Sequence, residues 1–169
     1  MLKLLHATCL AAAMTLPAMM QAHAKSVALP EDAPAMSAVL PDSWKPTETE
    51  RGVEATSPGG DVYASVEYAK DYKADLKALM EGNGKWMKEN KIVPNSAQSQ
   101  DRDLTVNGMP AHEMSFAAKD KDGATKVTFT LIELPKDAIG VVTIWASDKE
   151  RATQSKSVDA ILNSVKAIR

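Results

Sequence analysis

The sequence is poor in the side chains that most often carry chemistry: it has one cysteine, Cys9, and three histidines, His6, His23 and His112. Cys9, His6 and His23 all lie in the N-terminal segment that is interpreted below as a cleaved leader. The mature chain is therefore predicted to contain no disulfide and no cysteine nucleophile, with His112 as its sole imidazole. This excludes a zinc site built from cysteine and histidine, and we expect neither a metal nor an organic cofactor.

An excess of charge of one sign is also missing. The chain has 20 Lys and Arg against 22 Asp and Glu, a net charge of −2 and a pI near 5.9. Domains that bind nucleic acid through its phosphates usually have a pI above about 9, so no nucleic-acid partner is expected. Apolar residues make up 44% of the sequence, which is too many for a chain that is disordered throughout. A length of 169 residues fits a single ordinary domain.

Long apolar runs are absent except near the N-terminus, where residues 4–16 are largely apolar. This run is shorter than the roughly 20 residues that a membrane-spanning helix needs. Ala22 and Ala24 place small side chains at positions −3 and −1 of a cleavage site. We therefore predict that residues 1–24 are a signal peptide cleaved before Lys25, with Ala22 as the nearest alternative cleavage position. The mature protein is expected in the bacterial periplasm, with no stable membrane insertion.

The segment after the leader differs in composition from the rest of the chain. Residues 25–35 combine two prolines and two adjacent acids with few large apolar side chains, which predicts a flexible tether. Residues 36–169 then form one domain. Alternation of apolar and polar side chains, together with turn dipeptides, predicts strands there. They cover residues 36–40, 52–56, 62–69, 98–106, 111–118, 124–134 and 139–146.

Two helices are predicted from apolar stripes at helical spacing. The first covers residues 71–90 and contains Gly82 and Gly84, each of which costs up to about 1 kcal/mol in a helix interior. One continuous helix and two shorter helices both fit that pattern. The second helix is capped by Ser147 or Asp148 and is amphipathic to the end of the chain. Because hairpins dominate and no βαβ rhythm occurs, the fold class is α+β, an antiparallel sheet flanked by helices.

Four short segments, taken in their order and spacing, resemble the PsbP-like fold family of small exported bacterial proteins. They are Pro41-Asp42-Ser43-Trp44, Ser57-Pro58-Gly59-Gly60, Val106-Asn107-Gly108-Met109-Pro110-Ala111 and Ile161-Leu162-Asn163-Ser164-Val165. The resemblance implies an α-β-α sandwich over most of residues 36–168. It implies no catalytic residue, because the family includes extrinsic subunits, secretion-associated adaptors and uncharacterised envelope proteins.

Few residues are candidates for catalysis. His112 shares a strand face with Met114 and Phe116, which favours a histidine at the edge of the core. A hydrolytic triad also needs a nucleophile and an acid, and the sequence has no G-x-S-x-G elbow. Glu67 and Glu113 alternate with apolar residues, so we expect both to face outward. The carboxylates available for a glycosidase pair are Glu48, Glu50, Glu54, Glu67 and Glu113, and nothing in the sequence pairs any two of them.

The three tryptophans are the most informative aromatic residues. Trp86 lies on the helix stripe and Trp145 ends the most apolar strand, so both are predicted to pack in the core. Trp44 follows a turn and is either a lid over the core or an exposed recognition residue. Trp44 and His112 are therefore the candidate binding residues.

These patterns favour a non-enzymatic binding protein. Its partner would be another envelope protein or a secreted peptide, held by a sheet face or an edge strand. Two alternatives remain open. One is a secretion-associated adaptor or immunity protein; the other is a small-ligand-binding or hydrolytic protein with a pocket near Trp44 and His112.

Overall fold

The structure, a computed structural model, describes residues 24–168. No helix in that range is long and apolar enough to cross a membrane. The elements are β1 (Ala24–Leu29), β2 (Met36–Pro41), β3 (Thr47–Thr49), β4 (Gly52–Thr56), β5 (Tyr63–Ala69), α1 (Ala74–Glu89), β6 (Val93–Val106), β7 (Met109–Asp120), β8 (Gly123–Glu133), β9 (Ile139–Ala146), α2 (Asp148–Thr153), α3 (Ser155–Ser164) and β10 (Lys166–Ala167). Ala22 and the rest of the predicted leader before Ala24 lie outside the described residues.

Seven antiparallel strands form the main sheet, in the order β3-β4-β5-β9-β8-β7-β6. β9 is the middle strand and pairs along its length with both β5 and β8. All of its side chains but one are buried, as its apolar sequence predicts. A second sheet, β1-β2-β10, has three short strands.

One face of the main sheet changes from apolar to polar along a single cross-strand row. The register places Val66, Val142, Thr130, Glu113 and Arg102 side by side on β5, β9, β8, β7 and β6. The apolar end of this face joins a core with residues of the small sheet and of α3. The polar end lies towards the β6 edge.

The opposite face changes polarity in the reverse direction. Its row runs through Glu54, Ser65, Thr143, Phe129 and Met114 on β4, β5, β9, β8 and β7. The apolar end belongs to a second core that also contains residues of α1. The helix therefore faces an apolar surface towards β8 and polar side chains towards β4 and β5.

The first core is closed by the small sheet and α3. Met36 and Leu40 of β2 and Ile161 of α3 are fully buried together with Val66 and Val142 of the main sheet. Gly52 of β4 must be a glycine, because a Cβ there would lie 2.0 Å from the carbonyl oxygen of Val66.

Trp86 and Trp145, the tryptophans predicted to be internal, are partly buried and pack against the second core. The rings of Trp86 on α1 and Tyr63 on β5 stack with centroids 4.6 Å apart, and the edge of Trp145 meets Trp86 at 5.5 Å. Leu79 anchors the same helix and is 2% exposed. α1 continues through Gly82 and Gly84 as a single helix, so the alternative of two shorter helices is wrong.

β1 (Ala24–Leu29) includes residues 25–29 of the predicted tether, so the prediction of a flexible segment is wrong there. All six residues of β1 pair with β2, and the side chains of Val27 and Leu29 enter the first core. Apolar side chains at alternate positions are enough for a strand when a neighbouring strand is available.

Besides shifts of one to three residues at the ends of several elements, three larger differences from the prediction occur. β3 lies between the predicted strands 36–40 and 52–56, where no strand is predicted, and its three residues are exposed. β6 begins at Val93 rather than at residue 98. The last helix is divided into α2 and α3 at Gln154.

Candidate functional site

An open groove of about 270 Å³ lies between α1 and the end of the main sheet formed by β3, β4 and β5. We name it the α1 groove. It is lined by Thr49, Glu50, Arg51, Glu54, Tyr63, Ser65, Glu67, Ala78, Leu79, Gly82, Asn83 and Trp86. Most of these side chains are polar, although they lie beneath a helix, where folding alone favours apolar side chains.

Strand alternation places the sheet residues of the α1 groove on one face. Tyr63, Ser65 and Glu67 are separated by two positions on β5 and therefore point to the same side. Glu54 lies directly opposite Ser65 on β4. Two carboxylates, a phenol and a hydroxyl are thus brought together by strand alternation and strand pairing.

Tyr63 and Glu54 are joined by a hydrogen bond. The Tyr63 hydroxyl donates to Oε2 of Glu54 over 2.9 Å. Burial, and then the bond to the Glu54 carboxylate, hold the pKa of Tyr63 well above its ordinary value. Tyr63 therefore stays a neutral hydrogen-bond donor at physiological pH.

The second carboxylate, Glu67, lies in a less polar environment than water provides. Burial raises its pKa, the negative charge of Glu54 adds to that effect, and Asn83 and Arg51 act in the opposite direction. The net direction is upward, so ionised Glu67 is destabilised in the folded protein. A ligand group that donates a hydrogen bond or carries a positive charge would relieve that cost.

Several polar atoms in and behind the α1 groove are buried without a hydrogen-bond partner. They include Oγ of Ser65 and Nδ2 of Asn83, which line the groove, and Oγ1 of Thr143 and Nε1 of Trp145 on the adjacent strand. Ser65 is only 4% exposed. Each such buried group costs about 1–3 kcal/mol, and a cluster of them calls for a specific explanation such as a bound molecule.

Gly82 keeps the α1 groove open on the helix side. A Cβ built on Gly82 or on Gly84 meets no atom within 4 Å, so close packing does not require glycine at either position. Only Gly82 lines the groove. Its missing side chain leaves space above the polar floor, and Gly84 provides a matched position outside it.

The structure does not place Trp44 on the surface. It ends a short 3-10 turn and is 2% exposed within the first core. The interpretation as a lid over the core therefore fits, and the alternative of an exposed recognition residue is wrong. Burial of a tryptophan after a turn depends on what covers it, which the local sequence does not specify.

His112 lies on the same face of β7 as Met114 and Phe116, as predicted. This is the face on which α1 packs, but the part of it that carries His112 is exposed. Its side chain is 46% exposed, and Nδ1 lies 2.8 Å from Oδ1 of Asp103 on β6. Trp44 belongs to the core on the other side of the sheet. The structure therefore does not bring the two predicted binding residues together.

The expectation that Glu113 faces outward is wrong. It is 7% exposed, and its Oε1 accepts a hydrogen bond from Nε of Arg102 over 2.8 Å. Glu67 is half-buried under α1. Alternation showed correctly that each carboxylate lies on the opposite side from its apolar neighbours. It did not show that both sides of the sheet are covered.

Within residues 24–168, no group of three or more His, Cys, Asp and Glu side chains is arranged to hold a metal ion. The chemistry of the α1 groove is that of hydrogen-bond donors and acceptors with an excess of negative charge. Glu50, Glu54 and Glu67 face a single cation, Arg51.

The fold is similar to that of known structures. The chain is similar to the solution structure of cyanobacterial PsbP (CyanoP) from Synechocystis sp. PCC 6803, with 11% identity, a TM-score of 0.55 and coverage of 91% of this chain and 98% of that one. It is also similar to LpqN of Mycobacterium tuberculosis, described as involved in cell envelope biogenesis, with 15% identity, a TM-score of 0.48 and coverage of 87% and 92%. No family model and no curated protein matches the sequence.

The likeness to CyanoP shows the PsbP-like fold. The predicted α+β class and the resemblance drawn from the four sequence segments are therefore confirmed. At this identity the likeness concerns the fold alone.

Proposed function

We propose that the chain is an exported, periplasmic binding protein without enzymatic activity, whose α1 groove holds a small, hydroxyl-rich molecule such as a sugar. One observation carries this proposal. The half of the α1–sheet interface next to β4 and β5 is polar, and the Ser65 hydroxyl and the Asn83 amide lie near the Glu67 carboxylate without a hydrogen bond of good geometry.

Sugar hydroxyls match the mixture of groups in the α1 groove. A hydroxyl both donates and accepts hydrogen bonds, so one ring can donate to Glu54 or Glu67 and accept from Asn83. The excess of carboxylates over Arg51 favours a ligand with a positive charge and disfavours a negative one.

Glu54, Tyr63 and His112 favour binding over bond cleavage, whereas the raised pKa of Glu67 is in the direction that suits a general acid or base. Glu54 is already an acceptor for Tyr63, and the raised pKa of Tyr63 makes it a poor general base. A general base works best with a pKa near the working pH. His112 is paired with Asp103 at the other end of the sheet.

Export is supported by the apolar leader followed by Ala22 and Ala24. Cleavage before Lys25 leaves five residues of β1 to pair with β2. Mass spectrometry of the protein from a periplasmic fraction is expected to give a chain that starts at Lys25. A cytoplasmic chain with its leader attached would contradict export.

Three sugars that share one ring test the binding proposal. Glucose, glucosamine and glucuronic acid are neutral, cationic and anionic, and the three tryptophan indole N–H signals can be followed by NMR after assignment with single Trp-to-Phe variants. We expect shifts at Trp86 and Trp145, no shift at Trp44 on the other face, and the tightest binding for glucosamine. Silent Trp86 and Trp145 signals with all three sugars would contradict the proposal.

A second candidate function, binding of an envelope protein or secreted peptide, is favoured by β6. This strand is the edge of the main sheet, spans Val93–Val106, and has exposed side chains at all but two positions. An extended segment can add to such an edge, while the charges at residues 101–103 limit unspecific pairing. An adaptor or immunity protein would bind its partner in the same way.

Two neighbouring proline substitutions test the β6 edge. On an edge strand, backbone N–H groups point alternately towards the neighbouring strand and away from the sheet. Of the two variants Gln100→Pro and Asp101→Pro, one therefore removes an N–H that points outward and the other removes an N–H that bonds to β7. The outward variant is expected to keep its stability and lose a captured partner. Retention of the partner by both variants would contradict binding at this edge.

A further inference from the structure

The main sheet carries a second cleft on the face opposite α1. It measures about 640 Å³ and lies between β6, β7, β8 and α2. We name it the Glu113 cleft. Its lining includes Glu113 and Arg102 from the polar end of the cross-strand row described above, and none of its lining residues belongs to the α1 groove.

Glu113 has an unused acceptor in this cleft. Its side chain is 10% exposed; Oε1 is bonded to Arg102, and Oε2 is buried without a partner. A buried carboxylate normally has its oxygens hydrogen-bonded, because an unpaired charge is costly away from water. The Arg102 side chain that binds Oε1 is 66% exposed, and a ligand reaches the buried Oε2 only if the Glu113 side chain or its cover rotates.

Arg151 has unused donors on the other side of the cleft. Nη1 donates to Oγ1 of Thr128 over 2.8 Å, and Thr128 is buried. Within residues 24–168, no carboxylate lies within 4.0 Å of the Arg151 guanidinium. Lys126, which lines the same cleft, is paired with Asp148 at 2.8 Å.

We propose that the Glu113 cleft binds an α-carboxylate together with the nitrogen next to it, as found at a peptide C-terminus or in a free amino acid. The carboxylate would take the guanidinium fork of Arg151, whose planar donors match two carboxylate oxygens. The adjacent N–H or ammonium group would donate to Oε2 of Glu113. Because the cleft lies on the opposite face from the α1 groove, this proposal stands or fails separately from sugar binding.

Three probes separate the two sources of this chemistry: the tripeptide Ala-Ala-Ala as a free acid, the same tripeptide as a C-terminal amide, and free alanine, each titrated by NMR. We expect the free acid, free alanine or both to shift the signals of β7, β8 and α2, and the amide to bind roughly tenfold more weakly or worse. Binding of the free acid identifies a peptide C-terminus as a ligand, and binding of alanine alone identifies an amino acid. Equal binding of acid and amide, or binding of none of the probes, would overturn the proposal.

A matched pair of variants locates the contact. Arg151→Gln is expected to weaken binding roughly tenfold or more. Lys149→Gln removes the same charge from the same helix outside the cleft and is expected to leave binding unchanged. Arg151→Lys keeps the positive charge but loses the paired guanidinium donors. It therefore tests the same contact with the ligand carboxylate if Arg151→Gln lowers the stability of the protein. Equal losses in the Arg151→Gln and Lys149→Gln variants would show unspecific charge attraction and overturn the assignment.

Discussion

Replacing either glycine of α1 by alanine is expected to stabilise the protein. Both positions are helical, neither has a positive φ, and a Cβ at either meets no atom within 4 Å. The glycines therefore retain their full conformational cost, about 0.5–1 kcal/mol each relative to alanine in a helix interior. Residues two positions apart do not face each other on a helix, so the two gains should add to about 1–2 kcal/mol.

Urea unfolding measures this effect directly. The unfolding midpoint should rise in Gly82→Ala and in Gly84→Ala with an unchanged m-value, since the surface exposed on unfolding stays the same. Each kcal/mol corresponds to roughly 2–4 °C in Tm for a chain of this size. A lower midpoint in either variant would refute a continuous helix at that glycine. A higher unfolding midpoint in Gly84→Ala alone would indicate that the methyl group added in Gly82→Ala collides with a neighbouring atom.

Three further perturbations test the layers around the sheet. Trp44→Ala should cost about 3–5 kcal/mol in the free energy of unfolding, and a cost below about 1 kcal/mol would restore an exposed recognition role. Deletion of residues 25–29 should lower the urea midpoint, because it removes the buried side chains of Val27 and Leu29, each of which contributes about 1.5–3 kcal/mol to stability. An unchanged midpoint would indicate a flexible tether instead. The raised pKa of Glu67 means that the folded protein binds this proton more tightly than the unfolded chain. Its contribution to stability is therefore present below the unfolded pKa, near the ordinary 4.5, and is lost as pH rises through the folded pKa. Glu67→Gln should gain stability relative to the wild type over that rise, and a relative loss would contradict the burial argument.

The parts of the fold that depend on local pattern could be predicted from the sequence. The strand Ile139–Ala146 was predicted with its observed bounds, because its apolar residues fit a strand buried on both faces. The helix predicted over residues 71–90 and the observed α1 differ only at their ends. β1 was missed because Val27 and Leu29 form a strand only through pairing with β2, which is a tertiary contact.

The candidate sites were harder to predict, because they depend on register and on layers. The turn at residues 57–61 predicts a hairpin of β4 and β5, but the register that makes Glu54 and Ser65 neighbours could not be predicted. The sequence does contain one sign of the α1 groove. Tyr63, Ser65 and Glu67 form a polar face of a predicted strand, and the next element is a helix with two interior glycines. The burial of Glu113 could not be predicted, because alternation assigns a side chain to a face of the sheet but does not tell whether that face is covered.

The central claim is that the α1 groove holds a ligand, and a matched pair of leucine substitutions tests it most directly. Gly82→Leu places a side chain in the groove, whereas Gly84→Leu makes the same exchange on the same helix outside it. With glucosamine as the probe, binding followed at the Trp86 and Trp145 signals should weaken roughly tenfold or more in Gly82→Leu and stay within about twofold of the wild type in Gly84→Leu. Unchanged binding in Gly82→Leu, or equal losses in both variants, would contradict the claim.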